Sequence, residues 1–273
     1  MPEGQVSHRN AGRFSRCLVG GTITEAWSTD PRAGAQRLEA RLVGETVTAA
    51  EARGKYHLLR FASGRVLVSH LMMSGAWHLY DAPDGTAPRR GAVMVGIRVP
   101  GYVATLVRCP NVELIEPGRP LPGRVRALGP DLLDSAVDPG PALAEALAAV
   151  TPGREIGEAL LDQRIVCGIG NVYKSESLFL AGIDPWRAVG SLSPDEATTL
   201  GATAAGLLHT GTLHRGPIST YDPPGWLPSR GPSGQNWVYG RRRRPCRRCG
   251  TQILARGQGD DHRTTFWCPA CQT

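Results

Sequence analysis

Hydrophobic positions in the first 125 residues recur in short runs that are typical of β-strands. Four runs, 56–62, 65–73, 93–99 and 102–107, are rich in Val, Ile, Leu and aromatic residues. Clusters of Gly, Pro and Asp separate these runs, as turns separate the strands of an antiparallel sheet. The pattern predicts an antiparallel β-sandwich or barrel, with a helix over 6–17 lying on it.

The period changes after a connector rich in Pro and Gly over 117–141. Hydrophobic residues then recur at helical spacing in four segments, 142–150, 154–162, 171–183 and 195–210. The last segment begins with Ser193-Pro194-Asp195-Glu196, which supplies an N-cap serine, a proline at the first helical position and a glutamate three residues after the cap. A mainly helical second region is therefore expected.

The segment 214–236 contains many Gly and Pro residues and no periodicity, which predicts a long loop. We expect an α+β multidomain protein in four parts. They are a β-sandwich domain at 1–125, a linker and the start of the helical domain at 126–150, a helical domain with the long loop at 151–236, and a cysteine module at 237–273.

Composition excludes several classes of protein. A chain of 273 residues with 41% hydrophobic residues is long enough for about two domains. No apolar run approaches the roughly 18 residues of a membrane span, so no membrane partner is expected. The first residues lack the pattern of a secretory signal, which predicts a cytoplasmic protein without disulfides.

Positive charge is concentrated near the C-terminus. The net charge is +7, and residues 213–273 account for all of it with ten Arg, no Lys and three Asp. A basic module on a neutral body indicates a polyanionic partner, with nucleic acid as the first candidate. Only Lys55 and Lys174 are lysines among the 31 basic residues, so each is a candidate for a contact that arginine does not replace.

Four cysteines carry the most specific motif in the sequence. Cys246-x2-Cys249 and Cys268-x2-Cys271 are separated by 18 residues, a spacing that predicts one structural Zn²⁺ held by four thiolates. Because a four-cysteine site leaves no position for water, this metal is expected to stabilise the fold. The remaining cysteines are interpreted as small buried hydrophobic residues, namely Cys17, Cys109 and Cys167.

Arginines and aromatic residues surround these cysteines in a pattern that suits phosphate binding. An RNA-binding zinc ribbon would have the same appearance. The residues are Arg241, Arg242, Arg243, Arg244, Arg247, Arg248, Arg263, Trp237, Tyr239, Phe266 and Trp267.

A second motif, 168-GIGNVYKSE-176, places glycines directly before a predicted helix. Backbone N–H groups at such a helix start can bind phosphate, and Asn171 would add a side-chain donor. A simple helix-turn-helix corner explains the pattern equally well.

The third feature is Pro2-Glu3 at the start of the chain. Removal of Met1 would expose a secondary amine, and α-amino groups have pKa values near 7.7–8.0, so part of the amine is nucleophilic at neutral pH. Attack of this amine on a sugar C1′ gives an imine, and Glu3 is placed to transfer protons.

Together, the N-terminal Pro-Glu-Gly, the segment 161-LDQRIVCGIGNVYKSESLF-179 and the terminal four-cysteine finger resemble the formamidopyrimidine-DNA glycosylase/endonuclease VIII (Fpg/Nei) family. The resemblance extends over nearly the whole chain. It implies an N-terminal β-sandwich, a helix–two-turn–helix domain and a zinc finger.

The resemblance also implies roles for individual residues. Pro2 would form the imine, Glu3 would transfer protons, and Lys55 would contact the phosphate beside the lesion as part of the catalytic set. The implied DNA contacts also include a residue that fills the gap left by the flipped nucleotide, for which Met73 is the candidate, although Met73 could instead pack in a strand core. The other DNA-binding candidates that the resemblance implies are Asn171, Arg263 and His70. Lys174 has no role in the family pattern and is a separate candidate, as a phosphate contact one helical turn from Asn171.

Two departures from the family pattern narrow the expected substrate. Residues 5–8 contain no second acidic residue, and 109-CPNVEL-114 contains neither the Arg nor the Phe of the loop that reads the orphaned base. Discrimination of cytosine opposite 8-oxoguanine is therefore not expected. The sequence is closer to the endonuclease VIII-like branch of high-GC bacteria, whose substrates are oxidised pyrimidines.

The sequence thus predicts a monomeric, nucleoid-associated DNA glycosylase and AP lyase of base excision repair, acting on double-stranded DNA with damaged bases or abasic sites. It would work through an N-terminal proline imine and β,δ-elimination. Two alternatives stay open: a glycosylase for purine or bulky-adduct lesions, and a non-catalytic protein that binds damaged or abasic DNA.

Overall fold

The chain divides into two compact units, Met1–Arg126 and Ala127–Thr273. The structure, a computed structural model, describes residues 2–31, 37–83, 93–226 and 234–273. The division falls one residue after the expected end of the sandwich domain, and the finer division into four parts remains a prediction.

The first unit contains two antiparallel four-stranded sheets, with strand orders β1-β6-β7-β5 and β2-β3-β4-β8. This arrangement confirms the predicted antiparallel sandwich. The strands are β1 (Glu25–Trp27), β2 (Val47–Arg53), β3 (Tyr56–Phe61), β4 (Val66–His70), β5 (Ala76–Asp81), β6 (Val93–Val99), β7 (Tyr102–Val107) and β8 (Asn111–Ile115), and the helices are α1 (Gly4–Cys17), α2 (Leu38–Leu42) and α3 (Gly123–Arg126).

Side chains from both sheets and from α1 share one apolar core. Leu59 and Leu67 of one sheet, Ile97 of the other and Phe14 of α1 are almost fully buried in the same cluster. The Phe14 ring packs edge-on against Trp77, with ring centroids 5.2 Å apart. The helix predicted over 6–17 is therefore confirmed, and it begins two residues earlier, at Gly4.

The second unit is helical before its cysteine module. Its elements are α4 (Pro139–Ala148), α5 (Ile156–Ala159), α6 (Asn171–Ala181), a 3-10 turn (Val189–Ser191), α7 (Pro194–Leu213) and the hairpin strands β9 (Leu254–Gln258) and β10 (Arg263–Trp267). The predicted cap of α7 is confirmed. Ser193 Oγ accepts from the Glu196 backbone N–H at 3.1 Å, and the Glu196 side chain accepts from the Ser193 N–H at 2.7 Å.

The helix predicted over 154–162 is wrong in its extent, since only Ile156–Ala159 is helical. Asp162 accounts for the early end, because its Oδ1 accepts from the Arg164 backbone N–H at 3.0 Å and favours a turn. The connector over 117–141 is also partly helical, since α3 lies in it and α4 begins at Pro139. Among the described residues, no helix is long and apolar enough to cross a membrane.

Candidate active site and metal centre

Pro2 and Glu3 directly precede α1 in the first unit. Pro2 is partly buried, and Glu3 is 1% exposed and occupies the N-cap position. Its backbone carbonyl accepts from the Val6 N–H at 3.0 Å, whereas its side chain makes no capping hydrogen bond. The Glu3 carboxyl group is therefore held inside the protein, next in sequence to the predicted nucleophile, and is not used to cap the helix.

A two-residue turn between β2 and β3 carries Lys55. Tyr56, the next residue, pairs with His70 across β3 and β4, and their ring centroids lie 4.7 Å apart. Burial, together with the positive charges of Lys55 and Arg124, lowers the pKa of His70 to about 4. The structure thus brings two predicted DNA contacts, Lys55 and a neutral His70, to one end of this sheet.

Met73 lies in the tight turn that follows His70. The Gly75 N–H donates to the Leu71 carbonyl at 2.8 Å, and a Cβ at Gly75 would lie 2.5 Å from that oxygen. Met72 adopts a left-handed φ of 54° within the turn. Because Met72 is 44% exposed and Met73 60% exposed, the alternative of a strand-core methionine is wrong, and an apolar side chain stands open to solvent.

Asn171 is the first residue of α6 in the second unit. Its Nδ2 donates to the Thr264 carbonyl at 2.8 Å, which ties the helix start to β10 beside Arg263. Its Oδ1 is buried and has no hydrogen-bond partner among the described residues. The first turn of α6 contains no acidic residue, so an anion at this helix start would meet no local repulsion.

Lys174 is fully buried, which does not fit the predicted phosphate contact. Its Nζ donates to Thr265 Oγ1 at 2.5 Å, and Thr265 Oγ1 donates to Gln258 Oε1 at 2.8 Å. Because a buried ammonium needs hydrogen-bond partners, this chain of polar groups explains its position. Lys174 joins α6 to both strands of the hairpin, and it faces β10 as Asn171 does.

Arg263 begins β10, next to the residue that Asn171 contacts. Its side chain is 49% exposed, and its Nε lies 3.8 Å from Asp261 Oδ2. Such a long, exposed ion pair contributes little to stability. The guanidinium group is therefore open to an external anion, at the same end of β10 as Asn171.

The four cysteines of the predicted metal site converge in the folded chain. Their Sγ atoms all lie within 4.8 Å of one another. Cys246 and Cys271 have Sγ atoms 4.0 Å apart, and those of Cys249 and Cys268 are 3.5 Å apart. A tetrahedral zinc ion with bonds of about 2.3 Å places its sulfur ligands about 3.8 Å from one another, so the donor set and its spacing fit Zn²⁺.

The three other cysteines lie outside this cluster and form no disulfide. Cys109 and Cys167 are buried, as predicted, whereas Cys17 is only partly buried at the end of α1. Burial raises the pKa of the Cys109 thiol to about 11, so this thiol stays protonated at neutral pH.

Two family models match the chain. The formamidopyrimidine-DNA glycosylase N-terminal domain matches residues 1–100, and the H2TH domain of formamidopyrimidine-DNA glycosylase matches residues 128–221. The chain belongs to the formamidopyrimidine-DNA glycosylase family. The predicted family and fold class are thereby confirmed, with the sandwich, the H2TH domain and the four-cysteine module in the predicted order.

Several relatives within the formamidopyrimidine-DNA glycosylase family carry endonuclease 8 names. The chain is 38% identical to "Probable endonuclease 8 2" of Streptomyces coelicolor, over 100% of this chain and 94% of the relative. It is 34% identical to "DNA-(apurinic or apyrimidinic site) lyase Nei2" of Mycolicibacterium smegmatis, over 100% and 99% of the two chains. Both relatives come from actinobacteria, as expected for the high-GC branch.

Solved structures of Lactococcus lactis formamidopyrimidine-DNA glycosylase (Fpg) share the fold over the full length of both chains. A complex of that Fpg with DNA containing an abasic site has a TM-score of 0.79 at 26% identity. A complex of the same protein with DNA containing an oxidised pyrimidine has the same TM-score and identity.

Sequence reasoning missed Glu176, which organises the second unit of this family member. Its buried carboxyl group accepts from the backbone N–H groups of Trp237, Val238 and Tyr239 at 2.8, 2.9 and 2.7 Å. Thr220 Oγ1 donates a fourth hydrogen bond. One side chain of α6 thus contacts both ends of the long loop, and its position between Ser175 and Ser177 carries little sequence signal for this role.

Proposed function

We propose that this protein is a bifunctional DNA glycosylase and AP lyase of base excision repair, which removes oxidised bases, chiefly pyrimidines, from double-stranded DNA. Family membership and the names of the endonuclease 8 relatives support the reaction class. The observation that carries the proposal is the N-terminal pair, in which Pro2 stands at the chain start and the carboxyl group of Glu3 beside it is buried.

The reaction begins when the damaged nucleotide leaves the duplex, because its C1′ is unreachable inside the stack. After removal of Met1, the Pro2 nitrogen attacks C1′, the bond between C1′ and the base breaks, and the base leaves after gaining a proton. Glu3 transfers protons during opening of the deoxyribose ring. The product is a cationic imine between Pro2 and the sugar.

The imine then acts as an electron sink for strand cleavage. Loss of a proton from C2′ expels the 3′ phosphate, and a second elimination expels the 5′ phosphate, which together constitute β,δ-elimination. Water releases the remaining sugar fragment and restores the amine. Only the Pro2 nitrogen forms a covalent bond to DNA in this sequence of steps.

The remaining site residues bind and distort the DNA. Lys55 and His70 hold the backbone near the lesion, and Met73 fills the gap left by the flipped nucleotide. Asn171 and Arg263 bind phosphates from the second unit, where the N–H groups at the start of α6 add further donors. Lys174 contributes indirectly, since it holds α6 against the hairpin that carries Arg263.

One Zn²⁺ held by Cys246, Cys249, Cys268 and Cys271 would stabilise the finger and supply no chemistry, because four thiolates complete its coordination. We propose that the protein works as a monomer at the bacterial nucleoid. The four-part domain division predicted from the sequence is retained, with the sandwich domain as the catalytic domain.

Borohydride trapping tests this function. The protein is incubated with duplexes containing an abasic site, thymine glycol, dihydrouracil or 8-oxoguanine, and the trapped adduct is located by peptide mapping. We expect adducts at Pro2 on the abasic duplex and on both oxidised pyrimidines, and none once the Pro2 nitrogen is acetylated. Adducts on 8-oxoguanine alone would support the purine alternative, and lesion binding without any adduct, with Met1 removed, would support the damage-binding alternative.

A further inference from the structure

Three consecutive arginines form a fixed turn in the cysteine module, here called the arginine turn (Arg242–Arg244). All three are exposed. The backbone holds the turn against β9, because the Arg243 N–H donates to the Ile253 carbonyl and the Ile253 N–H donates to the Arg244 carbonyl, both at 2.9 Å. The turn is therefore built by main-chain contacts, and its side chains are not needed to form it.

The side chains of the neighbouring arginines contact other groups of the protein, in contrast to those of the arginine turn. Arg241 donates to the carbonyls of Trp237 at 2.5 Å and of Pro245 at 2.8 Å. Arg247 lies over the Tyr221 ring at 3.9 Å, and Arg248 lies over Phe179 at 4.6 Å.

Within the described part of the chain, Arg242, Arg243 and Arg244 make no side-chain hydrogen bond, ion pair or ring contact. Their guanidinium groups are thus available to an external partner.

The local charge is uncompensated. No acidic residue occurs in the sequence between Asp222 and Asp260, and this stretch contains eight arginines, three of which form the arginine turn. Adjacent like charges repel, so a turn that displays three of them is favoured when an anion neutralises them. Arginine is suited to phosphate, because its planar group donates two parallel hydrogen bonds.

The arginine turn and Arg263 lie at opposite ends of the β9–β10 hairpin. Ile253 directly precedes Leu254, which pairs with Trp267, whereas Arg263 pairs with Gln258 at the other end. Four residues of strand span about 13 Å at about 3.3 Å per residue. Duplex DNA carries one charge per about 1.7 Å of axis, so this distance corresponds to about eight phosphate charges.

We propose that the arginine turn is a second DNA-binding surface, which holds phosphates of the duplex flanking the lesion while Arg263 binds phosphates close to it. This inference rests on the proposed function and adds a contact that lengthens the footprint on undamaged duplex. This surface would contribute to the affinity for DNA and not to the reaction at Pro2.

The test is the salt dependence of binding by zinc-loaded protein to undamaged duplexes of 12 and 30 base pairs. The variant carries Arg242→Gln, Arg243→Gln and Arg244→Gln, and a matched control carries Arg16→Gln, Arg119→Gln and Arg215→Gln, three exposed arginines elsewhere. Each lost phosphate contact lowers the slope of log K against log salt by about 0.9. We expect the slope to fall by about 1 to 3 in the arginine-turn variant on both duplexes, because even the 12-mer, at about 3.4 Å per base pair, is longer than the distance of about 13 Å between the two contacts.

Single-turnover cleavage of an abasic duplex at saturating enzyme should keep its wild-type rate. An unchanged slope, or a slope change equal to that of the control, would overturn the proposal. Zinc content and the unfolding midpoint verify the fold, and the double variant Arg242→Gln/Arg244→Gln leaves the left-handed Arg243 unaltered. Because binding to undamaged DNA needs no chemistry, failure of trapping at Pro2 would not be confused with failure of this surface.

Discussion

The side-chain nitrogen of Asn10 lies 3.1 Å from Nε2 of His57 and joins α1 to β3 across 47 residues of sequence. Both side chains are buried. Since α1 begins directly after Glu3 and β3 begins directly after Lys55, this contact fixes the helix that follows the proposed nucleophile beside the strand that follows the proposed phosphate ligand. Burial lowers the pKa of His57 to about 3, so the ring is neutral and Nε2 can accept the hydrogen bond.

The depressed pKa of His57 predicts a loss of stability in acid. In the unfolded chain this group has a pKa near 6.5, so between about pH 6.5 and pH 3 the unfolded state binds one more proton than the folded state. The free energy of unfolding therefore falls as pH decreases through this window, by up to about 1.4 kcal/mol per pH unit from this residue. Urea unfolding at a series of pH values measures it.

His57→Gln is the matched variant, because glutamine keeps a hydrogen-bonding group and does not titrate. It should flatten the dependence between pH 6 and pH 4 relative to wild type. Equal slopes for the two proteins would show that His57 is not the group responsible. His70, whose pKa is also lowered, leaves a smaller dependence of the same sign in both proteins.

Glu176 is expected to anchor the chain on both sides of the long loop, at Thr220 and at Trp237–Tyr239. Glu176→Gln replaces one acceptor oxygen with a donor that faces backbone N–H groups, and losing hydrogen bonds to a charged group costs about 1.5–3 kcal/mol each. We expect a lower unfolding midpoint and faster proteolysis within 214–236. Thr220→Val removes only one of the four contacts and should have a smaller effect; equal effects would contradict the central role of Glu176.

Much of the fold could be predicted from the sequence because its signals are local. The Ser193 cap and the runs that became β3, β4, β6 and β7 depend on neighbouring residues alone. The strand β2 was missed because its burial is incomplete, with one fully buried residue in seven. The helix predicted over 154–162 was too long because the Asp162 side chain competes with the helix for backbone N–H groups.

The candidate site was less accessible to such reasoning. The clustering of the four cysteines could be predicted from their spacing, since two CxxC motifs can bind one metal ion. Burial of Lys174 was not predictable, because it depends on Thr265, which is 91 residues away. The Asn10–His57 pair lacks a sequence signal for the same reason, as a polar residue at a buried position is visible only once its partner is placed.

Arg263 and Lys174 should differ in their effect on DNA binding. Arg263→Ala is expected to lower the slope of log K against log salt by about 0.9, because one phosphate contact is lost. Lys174→Met should leave the slope unchanged, because the side chain is buried, and should lower the unfolding free energy instead, since Thr265 loses its donor. Salt titrations and urea unfolding of both variants separate the two roles. A reduced slope for Lys174→Met would support the phosphate contact that the sequence predicted for Lys174.

Zinc removal should affect the finger and spare the sandwich. We expect one zinc ion per chain by elemental analysis, and Cys249→Ser should lose it, since three thiolates bind the ion less tightly than four. Binding to abasic duplex should weaken, with a change in the fluorescence of Trp237, which packs against the finger core. Cys17→Ser is the control, because Cys17 lies outside the cluster, and zinc loss in this control would contradict the assignment.

Met73 should matter for base extrusion and not for stability. Met73→Ala is expected to change the unfolding free energy by no more than about 0.5 kcal/mol, because the side chain is exposed. Losing about 1–2 kcal/mol of the contact that offsets extrusion would slow single-turnover excision of a paired lesion by about five- to thirtyfold. Cleavage of a preformed abasic site should slow less, because no base has to leave the stack. Met72→Ala, one residue away in the same turn, is the matched control, and equal slowing by both variants would show that the turn as a whole, rather than Met73, fills the gap.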